Sequence, residues 1–467
     1  MKRLLLICFS LFLFNSSYAG DELVLKIKIK GYADSSLILT SYHGDKIRLL
    51  DTAFVDKSGL FIFKKKEILP GGIYMVVSPE KRKLFEFILD KDQHFSLTTD
   101  TINYALNVVV KGSENNSIFY DYLRFNEKQY QTIRLLKNKL LTTTDVIEEY
   151  ESIITQMDSV NKLLADYKLQ LIEMYPDLFV SKLLNAMRDI EIPDSISNST
   201  DSTLAYKYLK KHYWDYFDLS DPRLLRTPLI SKKVNQYFDQ MVVIQPDSVI
   251  AAIDEVVAKA RPSEEVVGYL MWHFVSAYQN PKYMGFEKVF IHLVDAYFSK
   301  EQILHTTPSI LQSLQDRAEV LRPLQLGEVA PRLSLIDTNN VFRSFTGINN
   351  DYVVLLFWDF DCSFCRKEIR QLQDLYEKTA FDFEVYAINV NGDHEKWKKA
   401  VHERGMGLWI NVNGTLSQTA DFHDLYDVHG SPVIFMLDKQ KRIIAKRIGA
   451  EQIVPFLENH EKSMEQQ

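Results

Sequence analysis

Residues 352–358 read YVVLLFW, seven apolar side chains in succession with no turn former among them. A strand built from such a run has no polar face, so it belongs in a sheet covered on both sides. The surrounding chain supplies the cover. An amphipathic helix is expected from Cys362 to about Lys378, FEVYAINV is a second apolar strand, and EKWKKAVHER a second helix. LWINVN adds a short strand, SPVIFMLD and RIIAKRIG a hairpin about KQK, and AEQIVPFLENH a terminal helix. Ahead of the apolar run, PRLSLIDTNNVFRSF reads as a hairpin turning at DTNN. Residues 325–467 are therefore expected to form an α/β domain.

One such domain does not account for 467 residues, and roughly two to four are expected from length. Residues 20–112 alternate apolar and polar side chains in short runs. LVLKIKIKGY, with Lys26, Lys28 and Lys30 on one face, is followed by SLILTSY, GLFIFKK, GIYMVVS and LFEFIL, separated by HGDK, DKSG and PGG. This predicts an N-terminal all-β, sandwich-like domain of antiparallel strands. Residues 113–320 change to apolar spacings of three and four, which predicts a central α-helical domain. Helices are expected at 204–217, 229–242, 246–260, 263–278 and 284–299, interrupted by DPRLLRTP at 221–228 and by an exposed loop, IPDSISNSTDS. Aromatic residues at helical spacing here read as core.

The first 19 residues read as a signal peptide. Lys2 and Arg3 precede LLLICFSLFLF, and SSYAG offers cleavage after Ala19. Cys8 lies inside the apolar core of this segment, well before the cleavage point, so a lipid anchor is not expected. No later run is long and apolar enough for a transmembrane helix. The mature protein is expected to be exported to the periplasm and soluble. A net charge of -7 provides no basic footprint for nucleic acid.

Export sharpens the meaning of the cysteines. Only Cys362 and Cys365 remain after cleavage, in DCSFC. A bridge between them closes too small a ring to staple a fold usefully. A structural zinc site needs four ligands, and His394, His402, His423 and His429 show no tight paired spacing. At the start of a helix the first cysteine gains from free N–H groups and the dipole, and the second lies one turn in. Cys362 is the expected exposed nucleophile and Cys365 the buried resolving thiol. Arg366 and Lys367 favour the thiolate, and Asp361 opposes it. Glu368 is three residues past Cys365, either as a proton acceptor for it or as a solvated first-turn acid. Ser431 and Pro432 stand immediately before a buried strand, a tolerated place for proline.

LGEVAPRLSLID, LLFWDFDCSFCRKEI, VYAINV and YDVHGSPVIFMLD together resemble the TlpA/ResA-like branch of exported thioredoxin-family thiol–disulfide oxidoreductases. The resemblance implies a thioredoxin fold, Cys362 and Cys365 as the redox pair, Glu368 as the active-site acid and Pro432 as a cis proline beside the dithiol. Trp358 matches the tryptophan of the strand leading to the pair. Leu356 stands where cytosolic-type thioredoxins carry a buried aspartate, and Ser363-Phe364 lacks the histidine that helps make DsbA oxidising. Residues 21–320 resemble, less specifically, two uncharacterised domains that precede such modules.

The expected function is disulfide exchange with partner proteins, as a reductant fed by a membrane or periplasmic electron donor. No cofactor beyond the Cys362–Cys365 disulfide is expected. Ser431, Pro432, Trp358 and Phe364 are the expected substrate-binding residues. The alternatives are a scaffold whose N-terminal domains recognise a partner, and a disulfide isomerase, which needs facing sites in a dimer. A peroxidase is disfavoured because Asp359 and Leu355 occupy the threonine and proline positions of peroxiredoxin sites.

Overall fold

The computed structural model describes residues 22–142 and 147–465. The expected leader over 1–19 lies outside the described residues. The chain divides into two compact units, Met1–Val242 with Val256–Tyr269 and Val243–Glu255 with Leu270–Gln467.

In the first unit, eight strands form two four-stranded sheets: β1 (Leu23–Lys30), β2 (Ser36–His43), β3 (Lys46–Phe54), β4 (Phe61–Lys65), β5 (Gly72–Val77), β6 (Lys83–Leu89), β7 (His94–Asp100) and β8 (Val109–Lys111). One sheet runs β4-β1-β7-β8 and the other β3-β2-β5-β6. β1 buries Leu25, Ile27 and Ile29 and exposes the three lysines between and after them, as its alternation predicts. The expected all-antiparallel pairing fails at one place. β1 and β7 are parallel, from Val24 opposite His94 to Lys30 opposite Asp100. A parallel pair needs a long crossover, so adjacency along the chain did not reveal it. β3, β7 and β8 were also missed. β3 buries only Ala53 and has no apolar face to read, while β7 buries Thr99 along with Phe95 and Leu97.

Helices then follow: α1 (Glu114–Thr142), α2 (Ile147–Met174), α3 (Phe179–Ala186), α4 (Asp194–Ser197), α5 (Ser202–His212), α6 (Leu229–Gln240), α7 (Pro246–Ala260), α8 (Glu264–Tyr278), α9 (Glu287–Leu293) and α10 (Pro308–Leu321). Asn116 on α1 satisfies the backbone of β6, accepting from the Ile88 N–H and donating to the Ile88 carbonyl, both at 2.7 Å. DPRLLRTP forms a single tight turn over Pro222–Arg226. Asp221 accepts the Arg223 N–H, and Leu224 and Leu225 are buried. The helix expected at 204–217 ends at His212, and that expected at 284–299 passes into a wider turn over Val294–Phe298.

The second unit holds a seven-stranded sheet. β9 (Leu335–Asp337), β10 (Phe342–Arg343), β11 (Tyr352–Trp358), β12 (Phe383–Asn389), β13 (Ile410–Ser417), β14 (Val433–Leu437) and β15 (Ile443–Lys446) run in the order β10-β9-β13-β12-β11-β14-β15. β11–β12 and β12–β13 are parallel, and the other pairs are antiparallel. The apolar run is β11, and its two faces serve two cores. Val354, Leu356 and Trp358 pack with residues of α11 (Ser363–Lys378), α12 (His394–Glu403) and α14 (Ile453–Glu465). Val353, Leu355 and Phe357 pack with Leu335, Phe345, Tyr386 and, from α13 (Phe422–Tyr426), Phe422 and Tyr426. Multidomain order and fold class follow the expectation: β sheets, then helices, then an α/β thioredoxin-like domain. No helix among the described residues is long and apolar enough to cross a membrane.

Candidate active site

The turn after β11 places both sulfurs. Cys362 is the residue that caps α11, with φ -78° and ψ 120°, and its Sγ accepts the Cys365 N–H at 3.1 Å. A sulfur held against a helix N-terminus is in the place where partial positive charge favours a thiolate. Cys362 is half-buried and Cys365 fully buried. Burial pushes the Cys365 thiol up to about 12, which keeps it neutral near neutral pH.

The loop before the pair is tied down from several sides. The Cys362 N–H reaches the Asp359 carbonyl at 3.3 Å, and Asp359 Oδ1 accepts the Asp361 N–H at 2.7 Å. Asn391, just past β12, donates to Asp359 Oδ2 at 3.4 Å, and the Val390 N–H donates to the Trp358 carbonyl at 2.9 Å. Opposite the sulfurs stands the turn into β14. The Ser431–Pro432 peptide is cis, and the Cys362 thiol donates to the Ser431 carbonyl at 3.5 Å. Val433 pairs with Phe357, so the strand register brings this turn beside the dithiol.

The remaining expected residues divide. Phe364 is 75% exposed, and Ser431 and Pro432 are partly exposed, so all three are available to a partner. Trp358, expected on the substrate surface, is not there. It is fully buried because the strand alternation turns it into the core with Leu356. Glu368 is partly buried, and its Oε2 accepts the Ala450 N–H at 2.7 Å. Among the described residues it has no hydrogen bond to a sulfur. Its side chain lines a cavity of about 320 Å³ with Pro432, Val433, Ile434, Arg447, Ile448 and Gly449.

Two features escaped the sequence. Arg404 donates to the Phe360 carbonyl and lies over the Trp358 ring, 5.2 Å from its centroid. Asp427, at φ 53° and 3% exposed, holds the segment leading to Ser431. It pairs with Arg317 of α10, with Arg447 and with His429. Burial pushes its carboxyl up, but the Arg317 hydrogen bond and the surrounding positive charge outweigh this and hold it below the usual range. Apart from the neighbouring His429, these partners lie 20 to 110 residues away along the chain, so neither residue carries a local signal.

Among the described residues no group of three or more His, Cys, Asp or Glu is placed to hold a metal ion. The model of the AhpC/TSA family matches residues 326–446. Two domains of unknown function, DUF4369 and DUF5106, match residues 23–119 and 142–317. No curated protein matches the chain. Among solved structures, a domain of a possible thiol-disulfide isomerase from Cytophaga hutchinsonii is 36% identical. It covers 31% of this chain and 99% of its own, with a TM-score of 0.29. A thiol:disulfide interchange protein from Bacteroides sp. is 30% identical, over 29% of this chain and 88% of its own, with a TM-score of 0.25. A thioredoxin-like protein from Bacteroides caccae is 19% identical, over 58% and 97%, with a TM-score of 0.45. The AhpC/TSA match thus covers most of the C-terminal domain, whose fold is thioredoxin-like, and two domains of unknown function match the residues ahead of it.

Proposed function

We propose that this protein is exported to the periplasm and reduces disulfides of partner proteins through Cys362 and Cys365. One observation carries the reading. An accessible sulfur caps α11 within hydrogen-bond reach of the Ser431 carbonyl, with a buried neutral thiol one turn behind it. The Cys362 thiolate attacks one sulfur of the partner disulfide. The partner's S–S bond breaks, and its second sulfur leaves as a thiolate that takes up a proton. Cys365 then gives up its proton and attacks Cys362 Sγ, which releases the first partner sulfur. Two electrons pass to the partner, and the pair becomes a disulfide. A membrane or periplasmic electron donor resets it.

Glu368 is the proposed acceptor of the Cys365 proton, acting from the cavity beside Pro432. Phe364, Ser431 and Pro432 form the proposed surface for the partner. The test is exchange of the full mature chain with a glutathione redox buffer and with a reducible protein disulfide. Cys362→Ser should abolish exchange, and Cys365→Ala should trap partners as mixed disulfides. Full activity in Cys362→Ser, or no dithiol–disulfide interconversion in the wild type, sinks the reading. A reduction potential near about -270 mV supports a reductant, and one near about -120 mV an oxidant.

A second reading is disulfide isomerisation, the activity named for the 36% identical domain from Cytophaga hutchinsonii, a possible thiol-disulfide isomerase. Isomerisation also starts with attack by Cys362. It tolerates loss of Cys365, so Cys365→Ala separates the two: isomerase activity survives and reduction does not.

A further inference from the structure

We infer that Arg404 is a positioning residue of the dithiol, a fixed cation that stabilises the Cys362 thiolate. The inference rests on the redox reading above. Its first support is how Arg404 is placed. Arg404 ends α12, its N–H bonded to the Ala400 carbonyl at 3.0 Å, and Gly405 follows at φ 66°. A left-handed glycine at this point terminates a helix cleanly. Gln373 of α11 donates to the carbonyls of Arg404 at 2.8 Å and of Gly405 at 3.1 Å. The helix that begins at the dithiol thus fixes where the arginine starts.

The second support is the guanidinium itself. Nη2 donates to the Phe360 carbonyl, two residues before Cys362, and the group lies over Trp358, which packs in one core with Cys365. Nη1 is buried and, among the described residues, has no partner. A buried donor left unpaired is destabilising, and more so when charged. No carboxylate takes it up. Asp359 on the loop has its two oxygens accepting from the Asp361 N–H and from Asn391.

The charges about the sulfurs are Asp359 and Asp361 on the loop, Arg366 and Glu368 on α11, and Arg404 from α12. The segment around the Ser431 turn adds His429 and Arg447, both paired with Asp427, and Ser431 itself offers its carbonyl. Burial and Arg366 hold the Arg404 guanidinium below its ordinary value, while Cys365, Cys362 and Asp359 oppose them. The same guanidinium is bonded to the Phe360 carbonyl of the loop that carries Cys362. A disulfide is neutral and a thiolate is not, so this cation favours the reduced pair and makes the protein a weaker reductant than it would otherwise be.

The test is iodoacetamide alkylation of Cys362 against pH, in the reduced full chain. Arg404→Met should raise the midpoint of the rate profile by about one pH unit, a roughly tenfold slower reaction below both midpoints. Arg404→Lys should restore most of the rate. Arg404→Gln provides the neutral comparison if the methionine variant does not fold. Overlapping profiles for wild type and the neutral variant overturn the inference. So does a lysine variant as impaired as the neutral one, since packing on Trp358 would then explain the loss. Either result comes with a wild type that cycles in glutathione buffer, whereas failure of the wild type to cycle sinks the redox reading instead.

Discussion

Burial separates the two sulfurs in the order that their places at the start of the helix predict. Cys362 is open to a reagent, while Cys365 is fully buried and pushed up to about 12 by its surroundings. Brief alkylation of the reduced protein at about pH 7.5 should add one label, on Cys362, read by peptide mass. The raised value also sets a direction for stability. An unfolded thiol ionises near about 8.5, so the neutral buried thiol contributes fully below that pH and the contribution is lost as pH rises toward 12. Denaturation midpoints of the reduced wild type should fall more steeply between about pH 8 and 10.5 than those of Cys365→Ala. Glu368 is bonded to the Ala450 N–H, a bond that glutamine keeps through its carbonyl oxygen. Glu368→Gln should therefore change stability by less than about 0.5 kcal/mol. It should let the mixed disulfide with a partner accumulate if this carboxylate takes the Cys365 proton. Equal mixed-disulfide lifetimes in the two proteins would remove it from the reaction.

At the scale of elements, β11 and the end of α12 set the geometry. Every second residue of β11 enters one core or the other, and Leu356 lies beneath the dithiol with no exposed surface. Leu356→Ala should cost about 2–5 kcal/mol in chemical denaturation, the range for a buried leucine that leaves a cavity. The two-sided burial of β11 was legible because a strand with no polar residue has no face to give to water. Gly405 was not legible as a determinant. An added Cβ meets only Gln373 Nε2, at an ordinary 3.5 Å, so the cost of Gly405→Ala lies in the left-handed backbone, about 1–2 kcal/mol. A circular-dichroism melt measures it, and a cost near zero would mean that the helix end relaxes.

At the scale of the molecule, α10 and the Pro432 turn are joined within one compact unit. Arg317 reaches Asp427, whose carboxylate is almost wholly buried, and Lys446, 3% exposed, donates to the Leu324 carbonyl at 2.6 Å and pairs with Glu287 of α9. Removing one partner of a buried pair is costly because the other charge stays behind. Arg317→Ala should lose about 1–3 kcal/mol, less than a full buried pair because Arg447 remains on Asp427. It should also lower the rate of exchange with a protein disulfide more than with a small one, read by parallel assays. Equal losses on both substrates would show that Arg317 acts on stability alone.

The order β, then α, then α/β was present in the sequence, and so were the cysteine pair and the proline before β14. These depend on periodicity and spacing, which are local. The parallel β1–β7 pairing, the burial of Trp358, and the arrival of Arg404, Asn391 and Arg317 around the site were decided only in three dimensions. The pairing and the three arrivals join segments far apart in the chain through backbone hydrogen bonds or a charge, and such partners leave no periodic trace in either segment; Trp358 is buried by a core whose other walls come from distant helices.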